Sequence, residues 1–405
     1  MMKRWIKHII TTMACAMVVL TCTSCHEEDE ANEQPTEQTI FMFLPWSGSG
    51  IYSYLLANIT AFEQAITNNH GLDNRRLLVF LSSSKTEAQL LEITFSNNQC
   101  RQKVLHDYTF STPSYTTAPG ITQLLQEVVR TAPAQRYAML IGGHGMGWLP
   151  RGTNVKEQVA GSSLPRRLSP VEAQHPEYFL TRFFGHSNDE EYQIEVSTLA
   201  DGIKASGLTM EYILFDDCYM SNIETAYDLR EVTRYLIAST SEIMIMGMPY
   251  ATIGVSLLHN DYASVCQGFY NFYSTYARPC GTIAVTDCHE AEATALLMKD
   301  INRMYATTDV TTSSLQDLDG ITPTIFYDFG DYATRLAANS MLLPAIESQL
   351  QRLVPYKAAT PTYYSDLSKQ ETTISTFSGL TISDPSQHPA VSYSKTLTQW
   401  YQATH

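Results

Sequence analysis

Two residues could do nucleophilic chemistry from special local settings, Cys218 and His144. Cys218 closes the stretch Tyr212-Ile213-Leu214-Phe215-Asp216-Asp217-Cys218, an apolar run followed by two carboxylates and a thiol. His144 lies within Gly142-Gly143-His144-Gly145-Met146-Gly147, whose glycines let a backbone approach a substrate closely. A cysteine reacts as its thiolate, and in cysteine hydrolases a histidine serves it from nearby in space rather than in sequence. Taken singly, each residue has an ordinary explanation, as a small buried cysteine beside capping carboxylates and as a structural histidine. Their shared position at strand ends makes the pairing the sharper reading.

The elements that must position them follow from patterning. Tyr137 to Ile141 and Tyr212 to Phe215 are unbroken apolar runs, as expected of strands buried on both faces of a parallel sheet. Ser221, three residues before Glu224, predicts a capping box opening a helix after Cys218. Cys218 then sits in a strand-to-helix crevice, where open α/β sheets place ligands, and near a helix N-terminus that favours an anion. Along the chain, strands are predicted at 39–44, 76–81, 137–141, 212–215, 235–239 and 281–287, with a short antiparallel pair at 91–95 and 103–106. Helices are predicted near 51–67, 121–130, 196–205, 262–276 and 291–305. This alternation defines an α/β fold with a mainly parallel sheet and helices on both faces. Helices near 325–338 and 342–354, a strand-like stretch at 372–383 and a short terminal helix make 307–405 a smaller C-terminal subdomain after a core at 39–306.

The chain has 405 residues, is 44% hydrophobic and can bury a sizeable core. Its start is different: Lys3, Arg4 and Lys7 precede an apolar run from Ile9 to Leu20, the pattern of a signal peptide over 1–24. Small residues before Cys25 resemble a bacterial lipoprotein cleavage site, which makes Cys25 the lipidated first residue. A polar tether follows to residue 38. Its Glu27-Glu28-Asp29-Glu30 resembles the surface-export signals of Bacteroidetes lipoproteins. The expected location is the outer membrane, through the lipid anchor, at the cell surface. A net charge of −15 argues against nucleic acid as a partner. With Cys15, Cys22 and Cys25 assigned to the leader and anchor, Cys100, Cys218, Cys266, Cys280 and Cys288 remain, and an odd set leaves at least one thiol without a mate. Cys280 and Cys288 flank one strand and would stand about 26 Å apart at about 3.3 Å per residue, too far for a disulfide. No zinc-ligand spacing, HExxH or GxSxG motif occurs. The segment 150–191 is long for a connection and carries Arg151, Lys156, Arg166, Arg167 and Arg182.

With His144-Gly145 and Asp216-Asp217-Cys218 each ending an apolar strand, the sequence resembles the clostripain-like cysteine peptidases, relatives of caspases, legumain and gingipains. The resemblance extends through Cys218 to Tyr227, Ala238 to Glu242, Pro249-Tyr250 and Ser378 to Ile382. It implies a Cys–His dyad in which Cys218 attacks the scissile carbonyl and His144 protonates the leaving amine. Backbone N–H groups of Gly145 and Cys218 would stabilise the oxyanion. It further implies protein or peptide substrates with basic residues: cleavage after Arg or Lys, with Asp216 beneath the guanidinium or ammonium and Asp217 and Glu242 as further substrate-binding carboxylates. Two features depart from the family pattern: Asp217 stands where a small residue is commoner, and Ile243 to Met246 is more apolar than the usual loop. Self-cleavage between His144 and Cys218, as in the family, has Lys156, Arg166, Arg167 and Arg182 as candidate points. No cofactor is required, although some members depend on calcium; without an EF-hand loop, a calcium site here would be built from dispersed oxygens. The alternative function, suggested by the two departures, is a catalytically inactive surface lipoprotein that binds peptides or host proteins on the same scaffold.

Overall fold

The computed structural model describes residues 35–45, 50–112, 114–151, 153 and 193–405. The leader, Cys25, the tether up to residue 34 and the candidate cleavage points Lys156, Arg166, Arg167 and Arg182 lie outside the described residues. Residues Thr36–His405 form one compact unit.

The strands in chain order are β1 (Gln38–Leu44), β2 (Arg75–Ser82), β3 (Glu87–Ser96), β4 (Gln99–Thr109), β5 (Arg136–Gly142), β6 (Met210–Asp216), β7 (Thr233–Ala238), β8 (Thr282–Asp287), β9 (Tyr327–Asp328), β10 (Tyr356–Ala359), β11 (Thr362–Ser365), β12 (Gln370–Thr373) and β13 (Thr381–Ile382). Nine of them make the central sheet, in the order β10-β8-β7-β6-β5-β1-β2-β3-β4. Its middle, β7-β6-β5-β1-β2, is parallel; β3 and β4 extend one side and β8 and β10 the other, all antiparallel. The parallel middle explains the unbroken apolar runs, because β1, β5 and β6 are buried almost throughout.

The helices are α1 (Tyr52–Asn68), α2 (Ala118–Thr131), α3 (Val196–Ser206), α4 (Ile223–Leu229), α5 (Tyr250–Leu258), α6 (Tyr262–Ser274), α7 (Ala291–Asn302), α8 (Phe329–Leu336), α9 (Leu343–Leu353) and α10 (Gln399–Thr404). In α2 the buried residues Ile121, Leu124, Leu125 and Val128 recur at helical spacing, and the Thr117 hydroxyl caps its start by accepting from Gly120 N. The helices pack in two sets, α1-α5-α6 and α2-α3-α4-α10-α7-α9-α8, as required to cover both faces of a parallel sheet.

Residues 307–405 are drawn into the same unit. β10 hydrogen-bonds to β8 as the sheet's outer strand, α9 and α10 pack on α7, and Thr381 N donates to Ser221 O at 3.0 Å. Three local expectations need correction. The stretch 372–383 is two short strands, interrupted where Gly379 takes a φ of +92° and Ser378 N donates to Asp328. The hairpin β3–β4 is longer than the pair expected, because β4 is an exposed outer strand whose side chains carry little alternation. The helix after Cys218 starts one residue later than the capping box predicts. Asn222, not Ser221, is its N-cap, with Oδ1 accepting from Thr225 N at 2.8 Å. Ser221 Oγ instead donates to Gly379 O at 2.7 Å, and Glu224 Oε1 accepts from Ser383 N at 2.8 Å. Both members of the expected box are spent on holding 379–383.

Candidate active site

β5 and β6 are parallel neighbours with Gly142 opposite Asp216. His144 and Cys218 each lie two residues beyond that pair, so the topology brings them to one end of the sheet. The histidine loop rests on the cysteine turn. A Cβ on Gly145 would stand 2.3 Å from the Cys218 carbonyl oxygen, and one on Gly147 (φ +62°) would stand 2.7 Å from Asn222 Nδ2. No side chain fits at either place, which is the physical use of these glycines.

Cys218 is fully buried. Its Sγ accepts from Ile243 N at 3.3 Å and lies 3.8 Å from Ile243 O, so the loop after β7 backs the sulfur with its main chain. Tyr219 follows with a φ of +61°, a conformation a bulky residue holds only when its surroundings impose it. Those surroundings are Ser241 O, which accepts from Tyr219 N at 3.1 Å; Glu242 Oε1, which accepts from the Tyr219 hydroxyl at 2.8 Å; and Phe326, stacked on its ring at 5.6 Å. Burial and then the Glu242 charge push the Tyr219 hydroxyl pKa well up, so it remains a donor.

The three candidate substrate carboxylates are placed differently. Asp216 is buried, with Oδ1 accepting from Met248 N at 2.7 Å in the loop after β7. Glu242 is buried too, and Oε1 also accepts from Ser365 Oγ at 2.8 Å in β11. Asp217, also buried, is the one of the three that lines a cleft of about 100 Å³, together with His144. That cleft runs over the ends of β5 and β1, with Phe43, Ile141, Met146, Leu199, Phe215 and Met220 among its walls. Gly145 lines the same cleft. Among the described residues no group of three or more His, Cys, Asp or Glu side chains is placed to hold a metal ion, and no helix is long and apolar enough to cross a membrane. The five cysteines from Cys100 onward are all thiols.

Several residues that shape this end of the sheet had no local signal. The Asp319 carboxylate accepts from the N–H groups of Ile321, Ile325 and Phe326 at 2.7–2.8 Å and shapes the loop that carries Phe326. Burial pushes its pKa up to about 7 against those donors. Ser383 joins the two motif loops: its N–H reaches Glu224 in α4, and its hydroxyl accepts from Trp148 Nε1 at 2.9 Å in the histidine loop. Ile243 meets Cys218 through backbone atoms, which an apolar side chain does not advertise.

A histidine and a cysteine that follow adjacent parallel strands have the placement a cysteine peptidase requires of its base and nucleophile. The Clostripain family model matches residues 174–378, which include Cys218 but not His144. A secreted C11 cysteine protease from Bacteroides thetaiotaomicron is 48% identical, with 92% of this chain and 100% of that one covered and a TM-score of 0.81. An inactive zymogen C11 protease from Parabacteroides distasonis is 26% identical, with 92% and 99% covered and a TM-score of 0.74. A clostripain from B. thetaiotaomicron ATCC 29148, solved with the peptide inhibitor BTN-VLTK-AOMK, is 55% identical over 55% of this chain and 99% of that one, with a TM-score of 0.53. None of the curated proteins compared matches the sequence. The chain belongs to the Clostripain family of cysteine proteases.

Proposed function

We propose that the protein is a cysteine endopeptidase whose dyad is Cys218 and His144, cleaving after Arg or Lys. The observation that supports this is the register of Gly142 with Asp216, from which His144 and Cys218 each follow by two residues beyond neighbouring parallel strands. Cys218 Sγ attacks the scissile carbonyl, the amides of Gly145 and Cys218 hold the oxyanion, and His144 delivers a proton to the departing amine. Water then releases the acyl group from sulfur. Asp216, buried beside the loop after β7, is suited to pair with a basic side chain in a low-dielectric site. The peptide of the inhibitor bound to the B. thetaiotaomicron clostripain ends in lysine, which supports the same preference here. Processing between His144 and Cys218, at Lys156, Arg166, Arg167 or Arg182, and anchoring to the outer membrane through lipid on Cys25 belong to the same proposal.

Purified leaderless protein should be assayed, with and without calcium, on fluorogenic peptides differing only in the residue before the bond, beside Cys218→Ala and Asp216→Asn. Turnover after Arg or Lys that vanishes in Cys218→Ala and falls about 10²-fold or more in Asp216→Asn is expected. Turnover after another residue would discard the assigned pocket, and a folded protein with no turnover in any lane would favour the peptide-binding alternative. Intact-mass analysis of wild type against Cys218→Ala tests the processing.

A further inference from the structure

We propose that the cleft over β5 and β1 binds an apolar side chain on the leaving-group side of the cleaved bond, a leucine- or methionine-sized residue immediately after it. This rests on the dyad proposed above. The strand order β7-β6-β5-β1 divides the site at β6. On the β7 side lie the loop backing Cys218 Sγ and the Met248 amide bound to Asp216, where the acyl part of a substrate would be held. On the β5–β1 side lies the cleft, walled by His144, Asp217 and the end of β1 but not by Cys218, Asp216 or Glu242. The group that protonates the departing amine must face the departing half of the substrate, so a cleft with His144 in its wall is placed to receive that half.

The lining sets the chemistry. Phe43, Ile141, Met146, Leu199, Phe215 and Met220 give it an apolar interior of about 100 Å³. A cavity of about 150 Å³ lined by such residues takes a benzene, so the space suits one medium apolar side chain. The rim is polar, with Arg151 N donating to Glu195 Oε1 at 3.4 Å, and the Asp217 carboxylate lies in the wall. Desolvating an anionic side chain beside the Asp217 carboxylate would be unfavourable, and glycine would leave the walls without contact.

Acyl transfer isolates this subsite. A peptide ester with Lys or Arg at its acyl end loses its alcohol on forming a thioester with Cys218. An added amino-acid amide then competes with water: its nitrogen forms the new C–N bond, the C–S bond breaks, and the amine proton passes to the His144–Cys218 pair. The ratio of peptide to free acid, read by chromatography, reports occupancy of the cleft and is internal to each preparation. Leucinamide and methioninamide are expected to give ratios about 10-fold or more above glycinamide and aspartamide. Leu199→Asp should lower the leucinamide ratio towards that of glycinamide; should that variant fail to fold, the wild-type panel decides alone. Ester turnover with ratios equal within twofold across all amides would overturn the proposal and leave the cleft to another occupant, such as the chain's own 154–192 segment. Loss of ester turnover altogether would remove the dyad, and this subsite with it.

Discussion

Gly145 and Cys218 are in backbone contact so close that a Cβ on the first would fall 2.3 Å from the carbonyl oxygen of the second. The histidine loop can adopt its present path only with hydrogen at that position. Gly145→Ala must therefore push the loop off the cysteine turn, and a displacement of this kind costs catalysis more than folding. We expect kcat/KM to fall about 10²-fold or more with the urea midpoint lowered only modestly. Gly207→Ala is the counterpart: φ is +79° with nothing within 4 Å of the added methyl, so a stability loss of about 1 kcal/mol with unchanged kcat/KM is expected. Equal effects of the two substitutions on activity would refute the contact's role.

Tyr219 makes a second, separable prediction. Tyr219→Phe keeps the ring on Phe326 but withdraws a donor from buried Glu242, leaving Ser365 and the more distant Leu367 amide on that oxygen. Removing a donor from a buried charged acceptor costs about 1–3 kcal/mol. The positive φ beside Cys218 loses one of its restraints as well, so kcat should drop along with stability. Chemical denaturation and active-site titration with a thiol reagent distinguish the two losses; a fully active, fully stable variant would show that the hydroxyl is incidental.

Much of this architecture is legible in residue patterns because buried parallel strands have an unmistakable signature. Tyr137 to Ile141 and Tyr212 to Phe215 identify themselves, and the motif residues after them inherit their places from the sheet. Helix α5 is harder to read: Thr252, Ile253 and Val255 are β-branched and Gly254 is a poor helix former. Gly254 is there because a Cβ would lie 2.7 Å from Ala65 in α1, a tertiary cause with no local trace. The same holds for Ile243, whose contact with Cys218 is made by main-chain atoms, and for Asp319, whose three amide partners lie up to seven residues away.

The cap of α4 tests how a tertiary contact overrides a local motif. Ser221 and Asn222 are both good N-caps, and Ser221 is diverted to Gly379. Asn222→Ala is expected to cost about 1–2 kcal/mol, because it also withdraws the Nδ2 donor from Tyr219 O at 2.8 Å. Asn222→Asp should keep the cap but set a buried carboxylate oxygen against Tyr219 O in place of the donor, and so recover only part of the alanine loss. Thermal midpoints of the three proteins give the order directly, and an alanine variant as stable as wild type would return the cap to Ser221.

The turn that holds 379–383 against α4 carries a pH signature. Burial, reinforced for Glu224 by the Asp384 charge, raises Glu224 from 4.5 to about 8; burial raises Asp384 from 3.8 to about 7 despite the pull of Lys395. Lys395 spends its donors on the carbonyls of Asp384 and Ser386. Between roughly pH 4.5 and 8 the folded chain therefore holds protons that the unfolded chain has released. Stability linked to the pair is complete below that window and is lost as pH rises through it, by on the order of a few kcal/mol. Glu224→Gln retains an acceptor for Ser383 N, and Asp384→Asn removes the second titrating group. Urea midpoints at pH 5, 6.5 and 8 should fall steeply in wild type and more shallowly in each variant, with the double variant the flattest. Asp319 and Asp228, raised to about 7 and about 6, preserve a residual slope. A double variant with the wild-type slope would mean that the pair is already ionised in the folded chain at low pH and that its pH signature has another origin.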